Sequence, residues 1–94
     1  MNRKQAVPTL QLDNDRTVVT EWRFEPGAET GWHVHGHDYV IVPMTDGELS
    51  IETSSGTRTS RLTAGRSYSG SKGVEHNVVN AGGEPVVFVE IEIL

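Results

Sequence analysis

The stretch Pro26-Gly27-Ala28-Glu29-Thr30-Gly31-Trp32-His33-Val34-His35-Gly36-His37-Asp38-Tyr39-Val40-Ile41-Val42-Pro43-Met44 reads as a glycine turn, a run of histidines and then a buried strand. Residues 40–44 are apolar, β-branched at the start and closed by Pro43, too short for a helix and suited to the inside of a sheet. In extended chain the side chains alternate between faces, so His33 and His35 project from the same side. His37 shares that side only if the strand continues through Gly36, which can rotate it away. His37 therefore stays open between a further ligand, a group that orients one, and an exposed loop residue. Two imidazoles one pleat apart can grip a metal ion. The chain's one other histidine, His76, lies beside a second glycine-rich stretch, and it can close a third corner while leaving positions for water or substrate.

Outward from this segment almost everything reads as short strands and turns. Val18, Thr20, Trp22 and Phe24 alternate with Val19, Glu21 and Arg23 in a half-buried strand ending at Pro26-Gly27. Asp46-Gly47 is a hairpin signal, followed by Leu49, Ile51 and Thr53 alternating with Glu48, Ser50 and Glu52. Residues 57–62 pair back across Ser54-Ser55-Gly56, with no choice between the face of Arg58, Ser60 and Leu62 and that of Thr57, Thr59 and Arg61. Residues 67–73 read as loop, residues 76–80 as a short strand, and residues 86–94 as a long apolar strand after Ala81-Gly82-Gly83. Val87, Val89, Ile91 and Ile93 form one face of that last strand, with Val86, Phe88 and Leu94 set among Glu90 and Glu92 on the other. Apolar surface on both faces implies that both are covered, the second by another subunit in a two-fold homodimer. No segment has helical periodicity. The expected class is all-β, a sandwich or barrel.

Composition narrows the function. A chain of 94 residues makes one domain and buries only about two-thirds of the surface its unfolded form exposes, so a metal or a partner subunit would help it. A net charge of −5, with eight scattered Lys and Arg residues, offers no footprint for nucleic acid or for an anionic membrane. The absence of cysteine excludes disulfides, thiolate metal sites and a Cys nucleophile. The basic start, Met1-Asn2-Arg3-Lys4, has no apolar core behind it to make a signal peptide, and no segment is long enough to span a bilayer, so the expected location is the cytoplasm.

Two glycine-flanked histidine stretches carry a family resemblance. Gly27, five residues to His33, then His35, and later Gly47 are similar to the first cupin motif, G-x5-H-x-H-x3-4-E-x6-G. Gly65, five residues to Ser71, then Gly73, His76 and Asn80 are similar to the second, G-x5-P-x-G-x2-H-x3-N. Both motifs occur in order with matching internal spacing, over more than half of the chain. The resemblance implies a single-domain cupin, a double-stranded β-helix (jelly-roll) barrel over residues 17–94, with residues 1–16 packing on or pairing with it. It implies His33, His35 and His76 as metal ligands. The glutamate of the first motif falls on Val40, or on Tyr39 with the shorter spacing, and neither supplies a carboxylate.

The site therefore resembles the three-histidine variant of thiol-dioxygenase-like cupins. Fe2+ is the favoured ion, with Zn2+, Ni2+, Mn2+ or Cu2+ as the other divalent choices. His37, Asp38 and Tyr39 are the nearest candidates for a fourth contact, and Asp38, Tyr39 and Asn80 for orienting the rings. Residues 33–43 also resemble small cupins associated with β-alanine degradation. Three neutral imidazoles leave the ion its full charge, which favours Lewis-acid chemistry or binding of a bidentate substrate beside oxygen. Arg23, Arg58, Arg61 or Arg66 could clamp an anionic substrate, although a solvated surface position is the simpler reading of each. Trp22 is expected in the core and Trp32 on the opposite face from His33. Glu75 points away from His76 and makes a poor base. The resulting expectation is a metal-dependent enzyme acting on a small organic metabolite. The alternatives are a non-catalytic ligand- or metal-binding accessory or sensor protein, and an epimerase pairing a His base with Tyr39 or Tyr68.

Overall fold

The computed structural model describes residues 3–94. Among these described residues nine strands follow one another: β1 (Val7–Asp13), β2 (Thr17–Phe24), β3 (His33–Val34), β4 (Asp38–Pro43), β5 (Gly47–Thr53), β6 (Gly56–Leu62), β7 (Tyr68–Gly70), β8 (Glu75–Asn80) and β9 (Val86–Ile93). They form a five-stranded sheet in the order β1-β2-β9-β4-β7 and a four-stranded sheet in the order β3-β8-β5-β6. All pairings between these strands are antiparallel. The crossing connections and the two facing sheets are those of an all-β jelly roll. None of the described residues forms a helix long and apolar enough to cross a membrane.

Alternation decides what each strand puts inside. On β2 and β9 the pairs Phe24↔Val86 and Trp22↔Phe88 lie on the inner face. Phe24 is fully buried and its ring sits 5.3 Å from that of Phe88. Tyr39, Ile41 and Pro43 of β4 face the same interior, met from the other sheet by Leu49, Ile51, Leu62 and Val78. Leu62 settles the face of β6, since Arg58 and Ser60 share its parity and both line the interior cavity.

Two local expectations change. Asp46-Gly47 does not join a hairpin, because β4 pairs with β7 and β9 whereas β5 pairs with β6 and β8. The turn instead carries the chain from one sheet to the other. Gly47 is needed there because a Cβ at this position would come within 2.6 Å of the Val86 side chain. The stretch read as loop over residues 67–73 contains β7, which pairs through Tyr39↔Gly70. Its Ser-Gly composition hid a strand, and Gly70 is the residue that lets the Tyr39 ring lie across it. On β9 the wholly apolar face of Val87, Val89, Ile91 and Ile93 turns outward. The mixed face, Val86, Phe88, Glu90 and Glu92, turns inward.

β1 pairs with β2 through a register shift between Leu10 and Leu12, and it is exposed along its whole length. The N-terminal segment before it is held at Ala6, which is buried and bonded to Glu29. Arg3 adds a bidentate contact to Glu52 at 3.1 and 3.0 Å.

Candidate metal centre

His33 and His76 are directly opposed across the β3–β8 ladder, so their rings emerge on the same face. His35 lies just past the end of β3. Its backbone is pinned on both sides, by its N–H to the Val74 carbonyl at 2.9 Å and by the Gly73 N–H to its own carbonyl at 2.8 Å. Gly73 holds a φ of +94° to make that approach, a conformation that side-chain-bearing residues avoid. Sequence alternation thus places His33 and His35 together. The third ring arrives by strand pairing.

The Nε2 atoms converge: His33 to His35 is 3.2 Å and His35 to His76 is 3.1 Å. Ligand atoms of all three lie within 4.8 Å of one another. An ion held at about 2.0–2.1 Å by two such nitrogens, at octahedral or tetrahedral angles, sets them roughly 2.8–3.4 Å apart, so the spacing fits a bound first-row ion. Ring orientation fits as well. His33 Nδ1–H donates to the Gly31 carbonyl at 2.8 Å, which leaves the Nε2 lone pair free for a metal. Burial, followed by the neighbouring His33, pushes the His35 imidazole down to about 4. Burial, then His33, His35 and Arg58, does the same to His76, also to about 4. Both rings are consequently neutral near pH 7, the form that coordinates a metal.

The other residues singled out in the sequence are distributed differently. Tyr39, one of the two residues on which the family's glutamate falls, is buried and stacks on His35 with centroids 3.9 Å apart. It fixes the ring plane of His35 by packing. Because the two rings lie face to face, they do not oppose each other across a substrate as a His–Tyr epimerase pair would. His37 and Asp38 are exposed, and Asp38 accepts the Lys72 N–H at 2.8 Å. Asn80 sits at the far end of β8. It donates to the Phe24 and Glu84 carbonyls at 3.2 and 2.8 Å and accepts the Gly82 N–H at 3.0 Å, which makes it the clamp of the β8–β9 turn. Trp32 and Glu75 are joined to each other on the outer side, at 2.6 Å. Trp22 packs against the core and lines the cavity.

Glu90 was not picked out from the sequence. Its carboxylate lies 3.8 Å from His35 Nδ1, behind the ring, and accepts the Trp22 indole N–H at 3.4 Å. A carboxylate there favours the His35 tautomer that offers Nε2 to an ion. Burial raises the pKa of this carboxyl from its ordinary value. The available signal was its parity with Phe88 on β9, which the mixed composition of that face obscured.

The three rings stand in a cavity of about 570 Å3 lined also by Trp22, Ile41, Phe88, Arg58, Tyr68 and Glu92. That size is ordinary for a small-molecule site. Burial first, then Tyr39, holds the Tyr68 phenol up at about 12, so it stays protonated as a donor.

The family model of the cupin domain matches residues 20–92. The chain is a cupin. It is 63% identical over 91 residues to the β-alanine degradation protein BauB of Pseudomonas aeruginosa, covering 97% of this chain and 96% of that protein. A cupin domain of Bordetella pertussis Tohama I, known by crystal structure, superposes with a TM-score of 0.97 at 60% identity over 100% of this chain and 98% of that one. A double-stranded β-helix protein of Klebsiella pneumoniae is similar at a TM-score of 0.79 and 28% identity, over 95% and 76% of the two chains. The missing motif glutamate makes this cupin's histidine cluster a set of three nitrogens without a carboxylate.

Proposed function

We propose that this cupin is a metal-dependent enzyme for a small organic acid, and that His33, His35 and His76 hold a divalent first-row ion, Fe2+ in preference to Zn2+, Ni2+, Mn2+ or Cu2+. The observation that carries the reading is the convergence of three Nε2 atoms at the wall of a small-molecule cavity. When bound, the ion supplies Lewis acidity and open positions for a substrate oxygen or sulfur, or for oxygen itself. The protein's own groups do the rest. Tyr39 and Glu90 keep His35 oriented, Trp22, Ile41 and Phe88 exclude water, and Arg58 at the rim faces the negative end of an acid. The relative's involvement in β-alanine degradation supports a three-carbon acid of that kind.

The test is elemental mass spectrometry on protein purified without tag or chelator, beside the His33→Ala variant. Near-stoichiometric iron that disappears in the variant supports the reading, with oxygen uptake in the presence of small acids and thiols as the next assay. Absence of any metal after reconstitution defeats it. One observation favours the alternative, a non-catalytic ligand-binding cupin. The two cavity phenols are held above their ordinary range, and Glu90 is already engaged by Trp22 and His35, so none of these is a ready base.

The same reading includes a cytoplasmic homodimer. The outer face of the five-stranded sheet presents Val19, Val40, Val42, Val89 and Ile91 half-buried, beside the exposed Val7, Leu10 and Leu12 of β1. Sedimentation of the protein against Val89→Lys tests it, with a monomeric wild type as the result that removes the dimer.

A further inference from the structure

We propose that the cavity is shaped for a short ω-amino acid, with the carboxylate at Arg58 and the ammonium group at Glu92. This rests on the small-acid reading and narrows it from an anion to a zwitterion. Arg58 stands on β6 of the four-stranded sheet and Glu92 on β9 of the five-stranded sheet, and both line the one cavity. Neither makes an ion pair or a side-chain hydrogen bond among the described residues. Their neighbours do: Arg61 binds Glu48 at 3.1 Å, Arg3 binds Glu52 at 3.0 Å, and Glu90 lies against His35. Each sheet thus turns a charge without a side-chain partner, opposite in sign to the other's, into the same space, Glu92 doing so beside Glu90.

Facing sheets stand about 10 Å apart, which leaves room between opposed side chains for a few heavy atoms. A ligand with its charges at opposite ends can answer both walls. An acid lacking the amine leaves Glu92 without a partner, a dicarboxylate sets like charges together, and an α-amino acid carries both charges on one carbon. Ser60 and Tyr68 line the same space and offer hydroxyls. Charge-assisted hydrogen bonds are about twice as strong as neutral ones, so the amine should be read strongly. A protein with this preference meets its substrate before the amine is lost.

Isothermal titration calorimetry of the protein as purified, with metal content measured on the same sample, tests this using β-alanine, propionate, malonate and L-alanine. β-Alanine should bind at least ~10-fold more tightly than propionate, with malonate and L-alanine weaker than β-alanine. Glu92→Gln should erase the advantage of β-alanine while leaving propionate unchanged, and Arg58→Gln should weaken both. Both substitutions are isosteric or shortening at positions outside the packed core, and the wild-type ligand series decides the matter by itself. Equal binding of propionate and β-alanine, a preference that survives Glu92→Gln, or no binding of any of the four overturns the inference. Propionate binding that depends on Arg58 without gain from the amine overturns it and leaves the small-acid reading standing. A β-alanine preference in wild type that holds no metal even after reconstitution upholds it and defeats the metal reading instead.

Discussion

The two ends of this barrel are built from the same strands and have opposite characters. At the closed end β2 contributes Phe24, β9 Val86 and β8 Asn80, all between 0 and 1% exposed, and Asn80 has its amide fully committed to backbone partners. At the other end the same strands and their neighbours contribute Glu90, Glu92, His76, Tyr39 and Arg58 around open space. The difference is not one of face, since both sets point inward. It lies in position along the strand. One end stabilises the sandwich by close packing, and the other keeps room and charge for a ligand.

The sharpest way to separate the ends is to remove a residue from each and measure both stability and metal. His76→Ala should give the largest change, loss of tight metal binding. If the roughly 10–16 kcal/mol of small metal sites is shared among their ligands, one imidazole accounts for about 3–4 kcal/mol, or several hundredfold in affinity. Metal retained at wild-type affinity would end the comparison. Phe24→Ala should cost about 3–5 kcal/mol of unfolding free energy in urea, with metal content per folded chain unchanged. A loss of metal in that variant would show that the ends are not independent.

Finer cuts follow within each end. Glu90→Gln should lower metal affinity by ~10–100-fold through His35 orientation, while the melting of the metal-free protein changes little. Asn80→Ala should cost about 1–3 kcal/mol by stranding the buried Phe24 carbonyl, without an effect on metal. A separate effect, absent near neutral pH, is a pH dependence confined to the open end. In the metal-free protein His35 and His76 sit at about 4, below the 6.5 of the unfolded chain, so the unfolded state takes up protons first. Stability should therefore fall as pH drops from about 6.5 towards 4 and be flat above that window with respect to these groups. The part of the fall that vanishes in a His35→Gln, His76→Gln variant, read by urea titration, measures it.

Much of this was legible before any coordinates. Alternation on β2 and β5 identified the inward residues because the charged positions fall on the other face, whereas β4 read only as an apolar run. The failures came where composition and parity conflicted. β9 has a purely apolar face that points out and a carboxylate-bearing face that points in, so hydropathy alone favours the wrong side for Glu90 and Glu92. β7 is a strand of Tyr, Ser and Gly, whose pairing depends on the Tyr39 ring lying over Gly70. His37 and Asp38 stood open as a fourth contact or orienting group, but past Gly36 the chain turns them to solvent.

The sequence by itself determined an all-β barrel, the parity that puts His33 and His35 on one face, and the absence of a carboxylate at the motif position, which falls on Val40 or Tyr39. Those properties are local, set by side-chain alternation and residue identity. Only the tertiary structure decided that His76 faces His33, that Glu90 stands behind His35, that Asn80 serves a turn at the far end, and that Arg58 and Glu92 share one cavity. Each of these depends on which strands become neighbours and in what register. Pairing is settled by the packing of the whole sandwich, and no single strand carries that information.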